Sequence, residues 1–99
     1  MISRHWRGLT RRDKADEYVT HLKTETFPTL KSIHGFVDAH ILRRDAEHGI
    51  EFLITTNWIS YEAIHAFAGS DAEAAVVPRV VEDMMIEYDR RARHFEIVE

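Results

Sequence analysis

Five residues near the middle of the chain, Asp45-Ala46-Glu47-His48-Gly49, do most to limit what it can fold into. They make a short polar loop ending in glycine, with a strand-like run on each side, residues 36–44 before it and 50–59 after it. A short glycine-containing loop between two such runs is the signature of a β-hairpin. The second run is the most apolar in the chain, carrying Ile50, Phe52, Leu53, Ile54, Trp58 and Ile59. Runs of that kind sit at the centre of a sheet.

The flanking segments supply the rest of a fold. Residues 2–9 read as a first strand with Ile2, Arg4 and Trp6 on one face and His5, Arg7 and Leu9 on the other. Neither face is plainly polar, which predicts a sheet covered on both sides. Thr10 is expected to cap a helix, with Asp13 returning the bond to its backbone. Ala15, Tyr18, Val19, Leu22 and Thr26 form that helix's apolar stripe. Pro28 is expected to break or kink it, leaving Leu30 and Ile33 on a short extension that Gly35 ends. Ser60 caps a second helix with Tyr61, Ile64, Phe67 and Ala68 inward and Gly69 as its stop. Asp71 is expected to cap a third over 72–77, and Val80, Val81, Met84 and Met85 keep helical spacing beyond Pro78. A last strand covers 87–98.

The order strand, helix, strand, strand, helix, strand defines an α+β ferredoxin-like βαββαβ sandwich, a single domain over 1–99. Its four-stranded antiparallel sheet has the first and third strands central and helices on one face. The other face, apolar on those two strands, is expected to meet a second copy, giving a homodimer packed sheet to sheet.

Composition removes several classes of function. Thirteen basic against 17 acidic side chains leave a net charge of −4, which argues against a nucleic-acid surface. There is no cysteine, so disulfides, thiolate metal sites and cysteine nucleophiles are out. No apolar run reaches signal or membrane length, which predicts a cytoplasmic protein without membrane contact. The seven histidines, at 5, 21, 34, 40, 48, 65 and 94, contain neither the i, i+4 nor the i, i+2 pairs of metal sites. Only an approach of His5 to His94 across neighbouring strands leaves a metal site open. With no glycine-rich phosphate loop and no nucleophile elbow, neither a flavin or nucleotide cofactor nor serine catalysis is expected.

Several segments resemble bacterial proteins of the antibiotic biosynthesis monooxygenase-like superfamily. They are Arg4-His5-Trp6-Arg7-Gly8, Ala15-Asp16-Glu17-Tyr18, Leu42-Arg43-Arg44 and Glu51-Phe52. The most specific is the run from Trp58 to Gly69, which is similar to the family's Trp-x-Ser-x-Glu-Ala-Ile-x-x-Phe-x-Gly, and His94-Phe95-Glu96-Ile97 looks like its closing His-Tyr-Glu-Val. The resemblance implies a dimeric α+β barrel. For activity it implies cofactor-free oxygenation of anthrones and quinols, haem degradation, or no catalysis at all. The haem-degrading branch uses an asparagine on the first strand, a tryptophan and a haem-ligating histidine. This chain has no such asparagine, has Phe67 in the tryptophan's place, and has residues 75–77 where the histidine would stand. Residues 77–83 stand where relatives carry Tyr-Pro-Glu-Asp, so no ligand contact is carried over from them.

The side chains that could carry chemistry are few. His94, in the closing motif, is a candidate proton acceptor for an acidic phenol or activated carbon, or a hydrogen-bonding residue of the dimer interface. Trp6 and Trp58, on adjacent central strands, either fill the core or wall a flat pocket for an aromatic substrate, with Phe67 beside them. Asn57, polar in an apolar strand, either meets a substrate carbonyl or a neighbouring backbone. Arg4 either neutralises an anionic intermediate, pairs with an acid on the last strand, or crosses the dimer interface. The resulting expectation is a cofactor-independent monooxygenase for a small aromatic or quinol-type substrate. Its catalytic residues would be His94, Asn57 and Arg4, and its pocket residues Trp6, Trp58 and Phe67. The alternative is a non-catalytic dimeric protein of the same fold, for small-molecule binding or assembly.

Overall fold

In the computed structural model, which describes residues 1–99, the hairpin forms as the sequence predicts. Strand β2 (Phe36–Asp45) runs antiparallel to β3 (Ile50–Trp58). Strand β1 (Ile2–Thr10) lies along the other edge of β3 in unbroken register from Ile2 opposite Trp58 to Thr10 opposite Ile50. A Cβ on Gly49 would run into the Thr10 carbonyl, so the loop's glycine lets the hairpin sit this close to β1.

The far edge of β1 is shared by two strands rather than one. β4 (Met85–Tyr88) pairs with residues 8–10, and β5 (Arg93–Glu96) pairs with residues 2–5. The spatial order is therefore β2-β3-β1-β4, with β5 also on β1, and the central placement of β1 and β3 agrees with expectation. The single strand predicted over 87–98 is interrupted because the Trp6 indole N–H takes the Asp89 carbonyl at 2.8 Å. The chain then leaves the ladder and ties itself to the preceding loop, with Ala92 N–H donating to Glu73 O at 2.7 Å.

Three further expectations change. Thr10 does not cap a helix: it is fully buried at the end of β1, and Arg11 opens the helical segment without a side-chain cap. Sheet partners on both edges of β1 hold Thr10 extended. Pro28 does not end the first helix. Helix α1 (Ala15–His21) passes through a π-helical turn, Leu22–Thr26, into α2 (Phe27–Lys31). The Phe27 N–H reaches back five residues to the Leu22 carbonyl, and this wider turn makes room for the proline ring. Residues 72–77 form no helix; Asp71 instead accepts from the Glu73 N–H in a tight turn, and only a short α4 (Arg79–Glu82) follows Pro78. Met85 already belongs to β4.

Helix α3 (Tyr61–Ala68) forms where predicted, Ser60 accepting from the Ala63 N–H at 3.2 Å and Gly69 ending it at φ 86°. Tyr61, expected on its inward face, is exposed instead, because at the first turn its ring meets His94 rather than the core, and Ala63 and Ile64 are the buried residues. The helices cover one face of the sheet, and the core divides into two clusters. One gathers Tyr18, Leu22, Phe52, Ile54, Val81 and Met84, the other Leu30, Trp58, Ala63 and Ile64.

The uncovered face differs from the apolar surface that the sequence pattern predicts. Strand alternation gives it Ser3, His5, Arg7, Glu51, Thr55, Asn57 and Arg44, with Leu42, Leu53 and Phe95 as apolar islands. Its polar groups are largely paired. Arg7 and Arg44 both bond Glu51, which holds that carboxyl below its ordinary range, and Ser3 meets His5 at 2.8 Å. No helix is long and apolar enough to cross a membrane.

Candidate functional site

Between the covered face of the sheet and the α1–α2 segment lies a cavity of about 70 Å³. The sheet contributes Arg4, Trp6, Ile54 and Thr56, alternate residues of β1 and β3 that point to the helices. The helical segment contributes Tyr18, Leu22, Thr26 and Leu30, each four residues after the last. In a continuous α-helix, steps of four drift around the axis by about 40° each. The π-helical turn interrupts that drift, so these four side chains over 13 positions reach one cavity, with Phe27 as a fifth beside Thr26. Phe67, Val76, Pro78 and Val81 close the remaining side. Thr26, Phe67, Val76 and Pro78 also line an outer groove with His21, Glu25, Thr29 and Val80, so the groove is the cavity's mouth.

The wall is mostly aromatic and aliphatic. Tyr18 packs edge-on against Phe52 with ring centres 4.9 Å apart, and burial pushes its phenol well above the usual range, so it stays protonated. The Trp6 indole N–H is taken by Asp89, leaving its ring to the cavity. Arg4, only 5% exposed, is the single charged residue of the wall. Its guanidinium donates to the Ala72 carbonyl, to the Ala74 carbonyl at 2.7 Å and to His94 Nε2 at 2.8 Å. It thereby fastens the loop after α3, whose Val76 and Pro78 stand at the mouth. Burial lowers the Arg4 guanidinium from its ordinary value, and the negative Glu73 partly offsets this.

His94 lies behind Arg4, away from the cavity. Its ring meets Tyr61 edge-on at 5.4 Å and borders a shallow groove with Ser70, Asp71, Ala72 and Glu73. Because an arginine N–H can only donate, Nε2 accepts, and the imidazole is neutral with its proton on Nδ1. Burial first, then the Arg4 charge, lowers its pKa below the usual histidine value.

The structure thus brings Arg4, Trp6 and Phe67 to the cavity wall and places His94 one side chain behind it. Trp58 is fully buried in the second core cluster, stacked on Phe67 at 6.1 Å and bonded through its indole N–H to Thr56 Oγ1 at 2.8 Å. It supports the cavity without lining it. Asn57 points to the opposite face and donates to Asp38 Oδ1 at 2.6 Å, because successive strand residues alternate. His5 and His94 likewise fall on opposite faces: the Arg4 opposite His94 points to the helices, whereas His5 meets the Phe95 ring at a tilt with centres 5.0 Å apart. No three histidine or carboxylate side chains converge anywhere as metal ligands do. Sequence reasoning missed Tyr18, Thr26 and Thr56 as cavity residues. Tyr18 and Thr26 were legible only as an apolar stripe, and Thr56 shares the parity of Ile54, which marks its face.

An antiparallel sheet roofed on one side by helices, with an aromatic-walled cavity between the two layers and the buried Arg4 in its wall, defines a small α+β protein of ferredoxin-like architecture. The chain belongs to the antibiotic biosynthesis monooxygenase family, whose sequence model matches residues 1–79. Its fold is similar to the crystal structure of a provisionally assigned antibiotic biosynthesis monooxygenase from Bacillus cereus. The TM-score is 0.69 at 17% identity, covering 100% of this chain and 93% of that one. No functionally curated protein matches the chain.

Proposed function

We propose that the chain takes a small aromatic or quinol-type molecule into the cavity and oxygenates it without a metal or flavin. The observation that carries this reading is the unfilled aromatic cavity with Arg4 in its wall; family membership supports it. Loss of a proton from an acidic phenol or activated methylene makes an anion rich enough to give an electron to oxygen. Arg4 would oppose the negative charge as it develops. For a methylene substrate the balance is CH2 plus O2 giving C=O plus water, one oxygen atom kept and one released. His94 is the nearest neutral imidazole, and it would receive the proton at Nε2 as Arg4 leaves that nitrogen and turns to the negative charge developing on the substrate. Size restricts the substrate: an enclosed volume of about 150 Å³ accommodates benzene, so one ring here must extend into the outer groove, and a three-ring anthrone must project from the mouth.

A homodimer packed through the uncovered face completes the proposal. The dimeric barrel that the family resemblance implies supports it, as do Leu42, Leu53 and Phe95 among charges that are already paired on that face.

Oxygen uptake with a panel of hydroquinones and anthrones tests the activity, wild type against His94→Ala. One-ring substrates should be consumed, with a loss of about 10²-fold in the variant; absence of uptake with every substrate refutes the oxygenase. The Arg4–His94 bond also favours a second reading, a non-catalytic small-molecule-binding or assembly protein, because it leaves no free base in the cavity. That reading expects ligand binding without oxygen uptake.

A further inference from the structure

We infer that the cavity is an anion site whose ligand carries a carboxylate on the free edge of the Arg4 guanidinium, with its apolar body directed to the mouth. The inference deepens the reading above and rests on its premise that this cavity is where the ligand binds.

A guanidinium has five N–H groups and keeps its charge. Three are used within the chain, on Ala72 O, Ala74 O and His94 Nε2. The Nε–H and one N–H of Nη2 remain, and neither has a partner in the chain. All three partners are neutral, and Arg4 takes part in no ion pair. Arginine is almost never this deeply buried without a counter-charge. Glu73, whose negative charge reaches Arg4, does not supply one at bonding distance, because its carboxylate lies against Arg91 at 3.4 Å. Every other group of the wall is apolar or a neutral hydroxyl or indole, so the missing negative charge is left for a ligand.

The donors left over specify its chemistry. Two adjacent N–H groups on a planar cation match the two oxygens of a carboxylate. A phosphate would bring about two negative charges to one cation and offer a third oxygen to an otherwise apolar wall. Orientation follows from the mouth, where Glu25 stands on the groove. A carboxylate there would meet like charge, whereas at the inner end it meets Arg4.

Benzoate and its neutral isostere benzamide test the inference, titrated into wild-type protein by calorimetry and by the fluorescence of the cavity's Trp6. Benzoate is expected to bind at least about tenfold more tightly, as a charge-assisted pair requires. Arg4→Gln, checked for a cooperative thermal melt, is expected to bring benzoate down to the affinity of benzamide. Because Arg4 also fastens the loop, the wild-type comparison decides alone if that variant does not fold. Benzamide binding as tightly as benzoate overturns the anion site and leaves the cavity reading standing. Failure of benzoate, benzamide and hydroquinone alike overturns both.

Discussion

Replacing Thr56 by valine exposes what the buried hydrogen bond behind the cavity contributes. The substitution keeps shape and removes only the hydroxyl that accepts the Trp58 indole N–H at 2.8 Å. Trp58 is fully buried, so that N–H has no bulk water to turn to. Losing the acceptor for a buried donor costs about 1–3 kcal/mol. Thr56 lies on the cavity wall, and a water entering from the mouth could meet part of the need. A cost of about 2 kcal/mol is therefore the working value. For a domain of this size it lowers the melting temperature by about 8–16 °C. The assay is a thermal melt by circular dichroism of Thr56→Val alone and in a Trp58→Phe background, where the donor is absent. In that background the Thr56 substitution should cost less than about 0.5 kcal/mol. Equal losses in both backgrounds would refute the claim that the indole bond, rather than some other effect of the methyl group, sets the cost.

Two further outcomes test the site and its surroundings. Gly8→Ala places a Cβ 2.7 Å from the Trp6 ring and 3.0 Å from the Met85 sulfur, so the indole must shift. Destabilisation of about 1–3 kcal/mol in urea unfolding is expected, with weaker ligand binding; unchanged values for both would mean Trp6 is not confined there. His94 and His5 both have pKa values lowered chiefly by burial and then by a neighbouring arginine. The folded protein therefore takes up those protons at lower pH than the unfolded chain, whose histidines titrate near 6.5. The unfolded state binds more protons as pH falls through that value, so stability is full above it and declines below it. Melting temperature should drop from about pH 7.5 to about pH 5, and His94→Gln, which still offers Arg4 an acceptor oxygen, should flatten the slope. A slope unaltered by that variant would remove His94 from the account.

The local devices were legible because their physics is local. The polar loop at 45–49, the Ser60 cap, the Gly69 stop and the central position of the apolar third strand all appear where the pattern places them. The opposite facing of Asn57 and Trp58 was also written in the chain, since neighbours on a strand alternate. Reading both as pocket residues overlooked that parity.

Other features needed the packed molecule. Thr10 has the chemistry of a helix cap, yet two sheet partners hold it extended. Pro28 signals a helix end, yet a widened turn carries the helix past it and keeps Tyr18, Leu22, Thr26 and Leu30 on one cavity. The last strand divides because the Trp6 indole of β1 takes the Asp89 carbonyl and Ala92 then donates to Glu73 in the preceding loop. His94 and Arg4 stand 90 residues apart and meet only through the pairing of β5 with β1. Sequence alone thus determined the hairpin, the capped helix after it, the order of the main elements and the alternation of faces along each strand, because propensity, capping and alternation act over a few residues. The tertiary structure decided which side chains share the cavity and which charge there lacks a partner, because both depend on groups brought together from distant parts of the chain.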